Sequence, residues 1–173
     1  EFRRVLFRSK KKGLPVDHPH LAITYNSIGM VCYSMGEYTK ALEYNQKSLE
    51  IRKKSLPVNH LDLATSYNNI GGVYQDMGEY TKALEYTHKS LETMKKSLPV
   101  DHPDLASSYG NIGMVYQHIG EFAKALDYNQ KSLEIRKKSL PVGHPSLATS
   151  YNNIGMVYQH MSDYPNALEY LHK

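Results

Sequence analysis

Leu-Pro-Val occurs four times in this chain, beginning at Leu14, Leu56, Leu98 and Leu140, always 42 residues apart. The residues between keep the same register. Tyr25, Tyr67, Tyr109 and Tyr151 align, as do Gly29, Gly71, Gly113 and Gly155, and Ala41, Ala83, Ala125 and Ala167. A period this regular, with no insertion, constrains the fold more than any single residue does. No one unit can bury its own apolar face, so successive units must stack and share a continuous core. The presence of 15 Tyr against 3 Phe and no Trp follows from copying one Tyr-bearing unit.

Each unit reads as two helices. In the second unit Leu63, Tyr67, Ile70, Gly71, Tyr74 and Met77 recur at spacings of three and four, an apolar stripe along one helix. Gly78 then breaks the pattern where a left-handed C-cap is expected. Tyr80, Ala83, Leu84, Leu91 and Met94 give a second stripe, which predicts a helix from Glu79 to Lys96. Ser-Leu-Pro-Val ends it, because proline cannot continue a helix and restricts the residue before it. Pro19, Pro103 and Pro145 fall at the first position of the next helix, where a missing N–H costs little; Leu61 replaces them in the second unit. The expected units are 17–58, 59–100, 101–142 and 143–173, with the last one truncated and 10–16 as the end of a preceding repeat. Residues 1–9, Glu-Phe-Arg-Arg-Val-Leu-Phe-Arg-Ser, match nothing in the repeat. They are expected to be a non-native sequencing or assembly scar and are set aside.

The residues Tyr67, Ile70-Gly71, Tyr74, Gly78, Tyr80 and Ala83 resemble the tetratricopeptide pattern of an aromatic, Leu-Gly, Tyr, Gly-x-Tyr and Ala. The 42-residue unit is longer than the usual 34. With His-Pro-x-Leu-Ala opening the first helix and Leu-Glu-Ile-Arg-Lys-Lys closing the second, it is similar to the kinesin light chain repeats. The resemblance implies an all-α, right-handed superhelical solenoid of helix-turn-helix units. Two departures stand out. Ser90 and its equivalents occupy a position that is usually Ala in that family, and the second-helix aromatic falls at Tyr86 rather than one place later.

Several chemistries are excluded or disfavoured. No run approaches the roughly 18–20 apolar residues that a membrane span needs. One cysteine gives no disulfide framework and makes the reducing cytoplasm the default. The formal net charge of +4 falls to +2 once the three Arg and one Glu of residues 1–9 are removed, too little for a nucleic-acid face. The basic clusters Lys10 to Lys12, Arg52 to Lys54, Lys95-Lys96 and Arg136 to Lys138 end second helices, where cations favour the helix dipole and reach into water. Alternatively they form a basic edge that attracts acidic peptides. His18, His60, His102 and His144 recur once per unit. That places them a helix-pair width apart, too far to share a metal, so a role in starting each first helix is expected. Cys32, where the other units carry Tyr74, Tyr116 and Tyr158, reads as a small buried hydrophobe. Glu37, Glu79 and Glu121 open second helices and favour the dipole. The mid-helix glycines read as close approaches between the two helices of a unit, since no strand or Gly-Lys phosphate loop accompanies them. No catalytic constellation, cofactor or metal is expected.

The informative polar feature is asparagine just before Ile-Gly. Asn69, Asn111 and Asn153 share one position, and Asn26, Asn68 and Asn152 the one before it. Asparagine is a middling helix former, so its repeated use in mid-helix wants a cause. The stripe leaves Thr65, Asn68, Asn69, Gly72, Gln75 and Asp76 on the opposite face. In the resembled family this face lines a concave groove where asparagines hold an extended peptide by its backbone, and a carboxamide both donates and accepts. The implied groove residues are Asn68, Asn69, Gln75, Asn111, Met114, Gln117, Asn152, Asn153, Met156 and Gln159. The competing reading is asparagine bonding between units, and Ser27 breaks the ladder in the first. The implied function is a protein-binding adaptor resembling the cargo-binding region of kinesin light chain. Its partner is an extended, acidic peptide, with kinesin heavy chain as a further partner of the whole protein. The alternative is a recognition array attached to an enzyme domain outside this stretch.

Overall fold

The computed structural model describes residues 18–173. It holds eight helices and no strand among them: α1 (Pro19–Ser34), α2 (Tyr38–Ser55), α3 (Leu61–Asp76), α4 (Tyr80–Lys95), α5 (Pro103–Ile119), α6 (Phe122–Ser139), α7 (Pro145–His160) and α8 (Tyr164–Leu171). The expectations for residues 1–9 and 10–16 lie outside the described residues.

Histidine starts every first helix. His18, His60, His102 and His144 are N-caps whose Nδ1 accepts from the backbone N–H two residues on, at 3.3, 3.1, 3.2 and 3.1 Å. Each satisfies one donor that the first turn would leave unpaired. The second helix of the second unit runs from Tyr80 to Lys95, one residue shorter at each end than the stripe predicts, with Glu79 as its N-cap. Glu79 makes no side-chain cap bond. It pairs instead with Lys82 at 2.8 Å, on the surface, where such pairs contribute a few tenths of a kcal/mol.

The bend between paired helices is a left-handed residue: Gly36, Gly78 and Gly120 have φ of 74°, 75° and 87°. The fourth unit puts Ser162 there, at φ 61°. A Cβ in this region is costly, about 1–2 kcal/mol in the left-handed helical conformation. Ser162→Gly is therefore expected to stabilise the protein by about 1 kcal/mol, read as a higher urea midpoint at unchanged slope.

Each first helix packs on the second helix of its unit, and that second helix on the next first helix. First helices also touch one another, α1 with α3 and α5 with α7. The array therefore stacks more tightly along its first helices, which places them on the inner side of the curve. Ala64, Ile70, Ala83, Ala106, Ile112, Ala125 and Ile154 are fully buried along the axis. Met77 drops out of the predicted stripe: it is the exposed residue that ends α3, and Val73 takes the buried place.

Much of the core is polar. Ser48, Ser90 and Ser132 donate from Oγ to the carbonyls of Ala22, Ala64 and Ala106 at 2.7–2.8 Å, which ties the two helices of each unit together. This accounts for serine where the resembled family has alanine. The second-helix tyrosine sits between first-helix rings: Tyr86 lies 6.3 Å from Tyr67 and 5.6 Å from Tyr74, and Tyr128 repeats this with Tyr109 and Tyr116. Cys32 is buried beside Ala41 and Val73, where the other units put the third ring. The C-terminal basic clusters are not uniformly solvated. Arg52 is buried, and its Nη1 donates to the Asp62 carbonyl and to Ser66 Oγ of the next unit at 2.9 and 2.7 Å. Arg136 does the same to Ser146 and Ser150. These arginines join units because the array turns that side chain toward the following first helix. At the middle step Met94 stands in their place and receives the Ser108 hydroxyl on sulfur at 3.1 Å.

His88 stands where Gln46 and Gln130 stand in the neighbouring units, edge-on to Tyr128. Burial lowers its pKa, with Glu92 opposing and Lys95 reinforcing the shift. The folded state thus favours neutral His88, so the unfolded chain binds the proton more readily. Stability is expected to be lost as pH falls below the ordinary histidine range, and His88→Gln should flatten that part of a stability–pH curve.

Candidate functional site

The mid-helix glycines prepare the inner face by admitting a second-helix side chain. A Cβ on Gly29 would lie 2.5 Å from Asn45 Oδ1, and one on Gly113 would lie 2.6 Å from Asn129 Oδ1. One on Gly71 would lie 2.9 Å from Thr87 Cγ2, and one on Gly155 2.8 Å from Leu171 Cγ. The carbonyls of Ala41, Ala83 and Ala167 come next, at 3.3–3.4 Å. The close approach predicted between helices is thus made first by a side chain and only then by backbone.

The asparagines form rungs between units. Asn69 Nδ2 donates to Asn26 Oδ1 at 2.9 Å, and Asn111 Nδ2 to Asn68 Oδ1 at 3.0 Å. Each pair uses one donor and one acceptor, so every carboxamide in it keeps further bonding capacity. Asn153 makes no hydrogen bond among the described residues, because Gly110 occupies the position its partner would take. Asn152 is exposed beside it.

Two cavities open on this face around Gly72. One, of ≈ 190 Å³, is bounded by Met30, Asn45, Asn69 and Val73; the other, of ≈ 180 Å³, by Gln75, Thr87, Asn111 and Met114. Tyr33, Asn68 and Gly72 border both. The structure therefore brings Asn68, Asn69, Gln75, Asn111 and Met114 to one place. Gln117, Asn152, Asn153, Met156 and Gln159 occupy equivalent positions further along and border neither cavity. Sequence reasoning missed Tyr33, Met30 and Asn45. Tyr33 interrupts the column of Gln75, Gln117 and Gln159, the one available signal. Tyr33 donates its hydroxyl to Asp76 of the next unit. That bond, with some burial, pushes its pKa up to about 12.

The lysines lie elsewhere and are mostly engaged. Lys47, Lys89, Lys131 and Lys173 pair with carboxylates one turn back and stand over Tyr44, Tyr86, Tyr128 and Tyr170. Lys40, Lys82 and Lys124 pair with Glu37, Glu79 and Glu121. No group of three His, Cys, Asp or Glu among the described residues could hold a metal ion. No helix among them is long and apolar enough to cross a membrane.

A stack of helix pairs that repeats one carboxamide-rich face defines a helical-repeat solenoid. The chain belongs to the tetratricopeptide repeat family, whose profiles match residues 15–54, 62–138 and 147–173. It is similar to the nearly identical TPR-like repeats of a candidate kinesin light chain from Podosopora anserina, at 23% identity and TM-score 0.83, covering 98% of this chain and 80% of that one. BtubC (BKLC) from P. vanneervenii matches at 24% identity and TM-score 0.86, covering 99% and 68%. The apo form of RapI matches at 26% identity and TM-score 0.79, covering 94% of this chain but 44% of RapI. No protein of curated function matches the sequence. Tetratricopeptide repeats are generally protein-binding modules rather than enzymes.

Proposed function

We propose that the chain is an adaptor module holding an extended peptide segment across the face built by α1, α3, α5 and α7. One observation carries this reading: a series of carboxamides repeated from unit to unit, Asn68, Asn69, Asn111, Asn152 and Asn153, retains donors and acceptors beyond the rungs that join units. An extended strand offers one N–H and one C=O per residue, so carboxamides spaced along a groove suit it whatever its side chains. Asn68, Asn69, Gln75, Asn111, Met114, Gln117, Asn152, Asn153, Met156 and Gln159 are the proposed contacts. The expected preference for acidic segments draws little support from this geometry, because most lysines are paired with carboxylates on another face. A link to a microtubule motor through kinesin heavy chain rests on the likeness to kinesin light chain repeats alone, and a cytoplasmic setting on cysteine usage alone.

Asn153 is the clean probe, since its amide joins no units. In a pull-down of a random extended-peptide library, Asn153→Ala is expected to weaken binding about 2- to 10-fold, the worth of one neutral hydrogen bond, without moving the thermal melt. Unchanged binding would remove Asn153 from the site.

A further inference from the structure

We propose that the step between the first two units carries a side-chain pocket, opened by Gly72, that selects a carboxamide side chain, glutamine above asparagine, in the bound peptide. The inference deepens the groove reading and rests on it for the peptide, though not for the pocket.

Gly72 breaks a column. The other three units put Met30, Met114 and Met156 at that position, and a Cβ built on Gly72 meets nothing within 4 Å. Close packing therefore does not require the glycine, and its cost in helix propensity, about 1 kcal/mol relative to Ala, has no structural return at that site. What the missing side chain leaves is the ≈ 190 Å³ cavity. That exceeds the apolar cavity of about 150 Å³ that accommodates benzene in an engineered protein, so a medium-sized side chain fits.

The lining states the chemistry. Asn45 is 2% exposed, and its Oδ1 finds no hydrogen-bond partner. That oxygen is turned onto Gly29 and has no free surface, so the amide meets the cavity with its Nδ2 donor, and a guest that accepts from it is favoured. Asn68 and Asn69 add two more carboxamides at the rim, while Met30 and Val73 give an apolar wall. No charged residue borders this cavity. A charged guest would be desolvated without a partner, and an aliphatic guest would leave Asn45 unpaired. A carboxamide accepts from Asn45 Nδ2 through its carbonyl and keeps its own donors for the carboxamides of Asn68 and Asn69. The two methylenes of glutamine span the apolar wall, and asparagine has one fewer.

The molecule carries its own closed counterpart. At the step between the third and fourth units Asn129 stands where Asn45 stands, again with unpartnered amide atoms, but Met156 takes the place of Gly72. Gly72→Met should close the first pocket with a residue that three units already tolerate, and Met156→Gly should open a second.

The test uses the whole chain on arrays of extended peptides scanned with all residue types at each position. Wild type is expected to favour glutamine at one position by about tenfold over leucine or lysine. Gly72→Met should abolish that preference while total binding changes less than about threefold, and Met156→Gly should add a second preferred position. An unaltered profile for Gly72→Met, or a preference for charged or aliphatic residues there, overturns the proposal. Propionamide, the side-chain fragment of glutamine, separates the pocket from the groove. It is expected to shift the Asn45 side-chain amide resonance in wild type and not in Gly72→Met, whereas butanone, of similar size without a donor, shifts it far less. Peptides that fail to bind while propionamide does would defeat the groove reading alone. Peptide binding with no propionamide effect and no glutamine preference would defeat the pocket alone.

Discussion

Gly71→Leu is expected to destabilise the protein by about 3 kcal/mol, at the upper end of what overpacking usually costs. The Cβ alone would come within 2.9 Å of Thr87 Cγ2 and 3.4 Å of the Ala83 carbonyl. Thr87 is branched at Cβ, and its hydroxyl is tied to the Ala83 carbonyl at 2.8 Å, so it has little freedom to move aside. Ile70 and Ala83 are already fully buried, so an isobutyl group finds no space along the core. The adjacent residue is the control. Gly72→Ala meets open space and should gain up to about 1 kcal/mol of helix propensity. Gly155→Ala should fall between them, since it meets Cγ and Cδ2 of Leu171, an exposed side chain at the end of α8 that has room to turn aside. Urea midpoints of the three variants check the order, and a stabilising Gly71→Leu would show that the two helices of the unit do not approach as described.

Replacing Asn69, Asn111 and Asn153 together by Ala is expected to weaken peptide binding about 10- to 1,000-fold. Three hydrogen bonds at about 0.5–1.5 kcal/mol each give this range. The same variant is expected to melt lower, because Asn69 and Asn111 also bond to Asn26 and Asn68 across units. Lost stability and lost binding therefore need separate readouts. Asn26→Ala supplies one: it breaks the first rung from the far side and leaves the Asn69 amide in place. It is expected to lower the melt as much as Asn69→Ala does while binding stays near wild type. If Asn26→Ala loses binding equally, the rungs act by holding units in register, and Asn69 does not touch the peptide.

What the sequence determined by itself is whatever depends on periodicity and local backbone chemistry. The 42-residue period dictated stacking, the Tyr and Gly stripe dictated helix pairs, and the glycine at 36, 78 and 120 announced the left-handed bend. Helix starts were legible in His-Pro, although not that the imidazole itself accepts the capping bond. The candidate face was legible as well, since helical geometry places Asn68, Asn69 and Gln75 opposite the buried stripe.

Only the tertiary structure decided which polar side chains were spent and which remained free. Arg52 belongs to the same basic run as Lys53 and Lys54, yet the crossing of α2 with α3 turns it inward onto Ser66. Ser48, Ser90 and Ser132 looked like departures from a family pattern until the partner carbonyls, 26 residues away, came into reach. The same holds for Asn45, buried in a second helix yet bordering a cavity on the face of the first helices. The physical reason is range. Propensity and periodicity act within a few turns of one helix, whereas hydrogen-bond partners and open space depend on where a different helix comes to lie.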